Sequence, residues 1–322
     1  MTPKSIERAL ERYRAYKDED VRGRLKAFGP LILESAVLAN ELTDADLKVL
    51  RDPTDEELMA AAKGGETILG LGLVEINPES FKRDLKRMGH VLLNSLEASD
   101  AFRAAAEQFS WAPFAEPGFV RVAEADPMGA LSETDDMIAG LSPELVDVWA
   151  LPVLGLTLRA YLDRFANEIS GRLIGLEERK PSYSRRLTCF CCGADPDVAA
   201  VSATNNHGNV KKLYCGACGA RWTFERIRCA RCGDDAVSDL SYVSDESDDS
   251  HRLHVCAACH AAMPTLFAPG DDLTFQPDVE SIVLTGLEEA YKQAVLEGTV
   301  PEKVLKEGDA TVAGRGPGKG MV

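Results

Sequence analysis

Residues 187–196 read LTCFCCGADP, with three cysteines inside four positions and a glycine directly after them. Three more C-x-x-C pairs follow. The four are Cys189/Cys192, Cys215/Cys218, Cys229/Cys232 and Cys256/Cys259, and all nine cysteines of the 322-residue chain lie between Cys189 and Cys259. Disulfide frameworks belong to short secreted chains, whereas a cysteine cluster in one segment of a long chain points to metal binding or catalysis. The first three pairs end in Gly193, Gly219 and Gly233, and the fourth ends in His260. In such a knuckle a tight turn brings two sulfurs onto one ion and aims backbone N–H groups at them, with glycine supplying the positive φ. Two knuckles complete a tetrahedral four-sulfur site with no open position.

The gaps indicate how the knuckles pair. Residues 193–214 separate the first from the second and 233–255 the third from the fourth, but only 219–228 join the second to the third. Two long gaps of nearly equal length predict one unit used twice: knuckle, hairpin, knuckle, close to the ribbon spacing C-x₂-C-x₁₅₋₂₀-C-x₂-C. Site one is then Cys189, Cys192, Cys215 and Cys218, and site two is Cys229, Cys232, Cys256 and Cys259, with a cross-braced pairing as the alternative. A thioredoxin-like redox pair needs one C-x-x-C in a βαβ context, not four among hairpins. Cys191 is left over, as a packed thiol, a free thiol near the metal or a substitute ligand. His207 and His251 read as loop residues and His260 as part of its knuckle. The lone Gly70-Leu71-Gly72 lacks the third glycine of a dinucleotide fingerprint. Zinc and iron both accept four thiolates, so spacing does not choose between them.

Outside this cluster the chain predicts helices. Thr2 and Pro3 open one whose face carries Ile6, Leu10 and Tyr13; Thr54 and Glu57 have capping-box spacing; Asn77 and Pro78 precede Phe81, Leu85, Met88 and Leu92. Ser142 and Pro143 open a segment apolar nearly all round, expected to be the central helix and to kink or split at Pro152. Its longest apolar run, Val148 to Leu158, is too short to span a bilayer, and the N-terminus lacks the apolar run of about 7–15 residues that a signal peptide needs. Between the knuckles, DVAAVSA, KKLYC and RWTFERIRC read as strands, with Trp222, Phe224 and Arg226 alternating against Thr223, Glu225 and Ile227. A final stripe of Val279, Ile282, Val283, Leu287, Ala290 and Tyr291 predicts a helix ending at Gly298. The fold class is thus α+β: a helical domain over 1–180, tandem four-cysteine ribbons over 181–268, a C-terminal helix over 269–300 and a Gly-rich, disordered tail over 301–322. A formal net charge of −16 argues against binding nucleic acid by broad phosphate neutralisation. Lys211, Lys212, Arg221, Arg226 and Arg228 read as solvated or as offsetting thiolate charge. A soluble, cytoplasmic protein without membrane insertion is expected.

The segment TCFCCG…LYCGACGARWTFERIRCARCG…HVCAACH resembles the FdhE family of formate dehydrogenase accessory proteins. The four pairs in this order carry the resemblance, together with Trp222, Arg226 and Cys229 in W-x-x-x-R-x-x-C-x-x-C and the later QPDVESIVLTGLEEAY. Cys191 and His260 depart from the pattern, and the N-terminal half holds no diagnostic motif. The resemblance implies a cytoplasmic maturation factor, not an enzyme, that binds the catalytic subunit of a molybdenum- or tungsten-dependent formate dehydrogenase. It further implies two rubredoxin-like iron sites on Cys189, Cys192, Cys215, Cys218, Cys229, Cys232, Cys256 and Cys259. Two readings compete with it: a zinc-ribbon adaptor in a transcription or RNA-processing assembly, and a thiol-disulfide or sulfur-transfer enzyme using Cys191.

Overall fold

The computed structural model describes residues 2–134, 138, 141–179, 185–204, 208–245, 248–268 and 275–297, together with the backbone of 304–306. His207, the Gly298 cap and the tail beyond 306 lie outside the described residues.

The helix starts follow the local sequence. Thr2 caps α1 (Pro3–Arg12), Asp18 caps α2 (Glu19–Glu41), and Thr54 and Glu57 close a reciprocal capping box at α3 (Asp55–Ala62). Asn77 caps α4 (Pro78–Ser95), whose Phe81, Leu85, Met88 and Leu92 are all fully buried. Two short strands, β1 (Leu47–Val49) and β2 (Val74–Ile76), pair antiparallel beside these helices. Helices α5 (Asp100–Gln108), α6 (Pro117–Ala125) and α7 (Pro127–Ser132) lead to the central helix.

That helix begins on the Ser142 cap at α8 (Pro143–Leu145) and runs on through α9 (Leu151–Arg179). Pro152 does not split it. A π-helical turn over Val146–Ala150 precedes the proline, so the ladder is re-spaced where Pro152 has no N–H to give. The continuous element, Pro143–Arg179, is 37 residues long, which is apolar and long enough to cross a membrane by length and composition, whereas the run expected from the sequence was not. Its most apolar window is 61% buried, in contact with α2, α3, α4 and α7, and it carries the buried ion pair Arg159–Asp163. It is the core of the fold.

The second half is one sheet built from a repeated unit. Strands β3 (Val198–Thr204) and β4 (Gly208–Tyr214) form the hairpin between the first two knuckles, and β5 (Arg221–Phe224) follows. After the third knuckle, β6 (Leu240–Asp245) and β7 (Asp248–Cys256) form the second hairpin, and β8 (Ala262–Ala268) follows the fourth. Parallel pairing of β3 with β8 joins the two units, giving the order β5-β4-β3-β8-β7-β6, with the backbone of β9 (Val304–Lys306) on the outer edge. The expected strand at RWTFERIRC ends at Phe224, and its alternation is incomplete because Thr223 is buried along with Trp222 and Phe224. Helix α10 (Pro277–Glu297) returns across the sheet and buries Val279, Glu280, Val283 and Leu284, while Ala290 of the expected stripe is exposed.

Candidate metal centres

Each knuckle closes in the same way. The N–H of the residue after the second cysteine donates to the carbonyl of the first: Gly193 to Cys189 (2.9 Å), Gly219 to Cys215 (3.0 Å), Gly233 to Cys229 (3.1 Å) and His260 to Cys256 (2.8 Å). The first cysteine's N–H then donates to the carbonyl five residues on, at Ala194, Ala220, Asp234 and Ala261. The glycines take φ of 88°, 90° and 83°; His260 takes 58°, standing in the left-handed region where the other knuckles use glycine. A non-glycine residue in that region costs on the order of 1–2 kcal/mol.

The eight sulfurs gather into the two quartets expected from the gaps, not into a cross-braced set. In site one, Cys189 Sγ lies 3.7 Å from Cys218 Sγ and Cys192 Sγ 3.5 Å from Cys215 Sγ. In site two, Cys229 and Cys259 are 3.7 Å apart and Cys232 and Cys256 3.8 Å apart. A tetrahedron with metal–sulfur bonds of about 2.3 Å has sulfur–sulfur edges of about 3.8 Å. Disulfide sulfurs would be about 2.05 Å apart. The donor set, the count and the edge length therefore fit a four-coordinate thiophilic ion in each quartet.

Charge supports the same use. In site one burial pushes the Cys189 and Cys218 thiols up, while hydrogen bonds from Cys189, Cys192 and Cys218 push Cys215 down. Four sulfurs in such a pocket can ionise together only around a cation. In site two burial opposes ionisation of Cys229, yet the N–H groups of Cys232 and Arg231 at its sulfur hold it below the usual thiol range.

Site one is embedded in the helical core. Its four cysteines are at most 2% exposed and share one apolar cluster with Leu69, Leu158, Tyr161 and Trp222. Ile68 and Leu69 donate their N–H groups to the carbonyls of Phe190 and Cys191, at 3.1 and 2.9 Å. The Gly70–Gly72 segment is thus part of a turn that docks the first knuckle. From α9, Arg159 donates to the Cys215 carbonyl (2.8 Å) and lies 3.5 Å from both Asp163 and Asp278. Burial alone would lower its pKa, but Asp278, Asp163 and the nearby sulfurs outweigh that and raise it. The thiolate-facing cation thus comes from the helical half. Among the hairpin cations, Lys211 and Arg228 are buried, not solvated. Lys211 Nζ is 2.8 Å from His254 Nδ1, and Arg228 donates to the Gly233 carbonyl and lies over the Phe224 ring.

Cys191 is a packed thiol, fully buried, and burial raises its pKa. His251 is not a loop residue: it sits in β7, 5% exposed, and joins three elements. Its Nδ1 is 2.7 Å from Asp248, and its Nε2 is 3.0 Å from both Glu280 of α10 and the hydroxyl of Tyr13, the C-cap residue of α1. Burial would lower its pKa, but the hydrogen bonds to Asp248 and Glu280 overcome this and lift it to about 9. Sequence reading missed these two clusters. The one local trace of the first was Arg159 and Asp163 at i,i+4 inside an otherwise apolar helix.

A cleft of about 490 Å³ lies where the two halves meet. Met128, Leu131 and Leu156 line its helical wall, and Ala194, Pro196 and Ala217 of the first two knuckles line the other.

Comparison with known proteins adds to this geometry. No family model matches the chain. A 100-residue stretch, 31% of the chain, is 26% identical to the protein FdhE homolog of Aquifex aeolicus (strain VF5), of which it spans 35%. The crystal structure of the FdhE protein from Pseudomonas aeruginosa superposes with a TM-score of 0.53 over 90% of each chain, at 19% identity. In fold the chain is FdhE-like, and so in sequence is a 100-residue stretch of it. The superposition, over 90% of the chain, takes in helical residues as well as the ribbons.

Proposed function

We propose that this chain is a cytoplasmic, non-enzymatic maturation factor that binds the catalytic subunit of a molybdenum- or tungsten-dependent formate dehydrogenase and assists its assembly. In this reading Cys189, Cys192, Cys215 and Cys218 hold one metal ion, and Cys229, Cys232, Cys256 and Cys259 hold a second. The ion is iron, in rubredoxin-like sites, with zinc as the alternative. Iron on four thiolates supplies a one-electron couple, whereas zinc supplies only a cross-link.

One observation carries the reading: two closed four-sulfur quartets set in an FdhE-like fold. A metal surrounded by four sulfurs offers no position for substrate or water, which disfavours metal-assisted hydrolysis and leaves a rigid platform for a protein partner. The helical domain (1–180), the ribbons (181–268) and the C-terminal helix (269–300) act as one platform, and the cleft between the helices and the knuckles is the contact surface. The adaptor reading is disfavoured because Lys211 and Arg228 are turned into the fold, away from a phosphate backbone.

The test is capture and deletion in the native host. A tagged chain should retain the formate dehydrogenase catalytic subunit, identified by mass spectrometry, and deletion of the gene should lower formate dehydrogenase activity without changing the subunit's transcript. Unchanged activity with no subunit captured would overturn the proposal.

A further inference from the structure

Beyond holding two ions, the quartets differ in what surrounds them. Site one is enclosed by the main core, with carbonyls of both its knuckles engaged by Ile68, Leu69 and Arg159. Site two rests on a small satellite cluster of Cys229, Leu240 and Cys256, with Cys259 packed at its side. Cys232 is exposed and Cys259 half-buried, and Ala257, Ala258 and His260 around the fourth knuckle are exposed as well. That knuckle is also the one whose turn is made by a residue with a side chain at positive φ. The Arg231–Asp195 ion pair that links the first and third knuckles spans 3.0 Å at the surface, where such pairs contribute little.

We propose that site two is the protein's exchange site, from which a soft, thiophilic metal ion enters and leaves the folded chain through the Cys232–Cys259 face, while site one is a permanent cross-link. The assignment rests on the metal-binding reading above. Exchange at a closed tetrahedral ion needs an incoming ligand to approach as a protein ligand departs. With an ion held in site two, an incoming thiolate or carboxylate would form its bond to the metal as the metal–Sγ bond of Cys232 broke. The displaced Cys232 thiolate would be left free in solvent, and no electron would change hands. Cys259 follows in the same way. Both departing cysteines lie on the solvent side of a small satellite cluster and not in the main core, so the opening is local. At site one the same departure would require the α9 and Leu69 contacts to open, which is unfolding of the core. An ion held this way can be received from, or handed to, a thiol-bearing carrier while the platform stays assembled.

The experiment uses the full chain loaded with two zinc ions and challenged with excess EDTA at neutral pH. Native mass spectrometry counts the ions retained, and far-UV circular dichroism follows the fold. One zinc should leave at least about tenfold faster than the other, with the dichroism unchanged while it does so. Cys232→Ser should abolish the fast phase and leave a folded chain with one slowly released zinc. Loss of both ions at one rate, release of the first ion in step with loss of dichroism, or failure of Cys232→Ser to fold would each overturn the assignment. A wild-type chain that never binds more than one zinc would instead contradict the metal-site reading beneath it.

Discussion

The two ribbons share one local design and occupy opposite environments. Both use the same paired N–H···O=C closures and the same sulfur–sulfur edges of 3.5 to 3.8 Å. Site one nevertheless belongs to the main core, and site two rests on a small cluster of its own where β7 turns into β8, with Cys232 exposed. Local sequence sets the knuckle, and tertiary packing decides whether it is a joint of the whole molecule or a module hung from it.

The cysteines offer the largest break in this comparison. A structural tetrathiolate contributes on the order of 10 kcal/mol of apparent folding free energy, so the loss should spread as far as the site is integrated. Cys218→Ser should abolish cooperative thermal unfolding of the whole chain. Cys232→Ser should leave the helical transition in place and shift it by a few degrees at most, by calorimetry.

Next comes the cation that ties site one to the helices. Arg159→Met leaves Asp163 and Asp278 buried beside each other without their guanidinium, and breaking a buried pair from one side costs about 3–5 kcal/mol. Denaturant unfolding should report that loss. The same substitution at Arg231, whose partner Asp195 is mostly exposed, should change stability little.

These two cases show what was legible from the chain alone. The knuckles, their pairing and the hairpins between them were readable because each depends on residues within about thirty positions of one another. So were the helix starts at Thr2, Thr54, Asn77 and Ser142, where a cap and the residues it serves lie within one turn. Neither the embedding of site one nor the His251 cluster was readable, since Arg159 meets Cys215 across 56 positions and Tyr13 meets His251 across 238. Nor did composition show that Lys211 and Arg228 are buried, because a cation looks the same in sequence whether or not a partner waits in the fold. Pro152 misled in the other direction: a proline predicts a break, but the preceding π turn absorbs it without ending the helix.

Away from both metals, His251 gives a third point of comparison. Its folded-state pKa of about 9 exceeds the ordinary value of 6.5. Its stabilising contribution is therefore complete below about pH 6.5 and fades as pH rises through about 9, by at most about 3 kcal/mol. Wild type should lose stability between pH 7 and 9.5, and His251→Gln should flatten that slope. Unfolding free energies across this range check it, with Asp248 and Glu280 as the carboxylates that hold the proton in place.

The smallest effect sharpens the contrast at a single methyl group. In Gly219→Ala the new Cβ would lie 2.5 Å from Arg159 Nη1 and 2.7 Å from Asp163 Oδ1, both buried. In Gly233→Ala the nearest atom is Arg228 Nη2 at 3.0 Å. Both positions have positive φ and share a backbone cost of about 1–2 kcal/mol, so the clash should make Gly219→Ala worse by roughly a further 1 kcal/mol in denaturant midpoint comparisons.

Everything above turns on two metal ions in this chain, each on four cysteine thiolates. Metal analysis combined with X-ray absorption on the protein purified from its own host tests it directly. The expected result is two ions per chain, iron or zinc, with only sulfur bound to each, at about 2.3 Å. One ion per chain, or oxygen and nitrogen scatterers in the first shell, would contradict it.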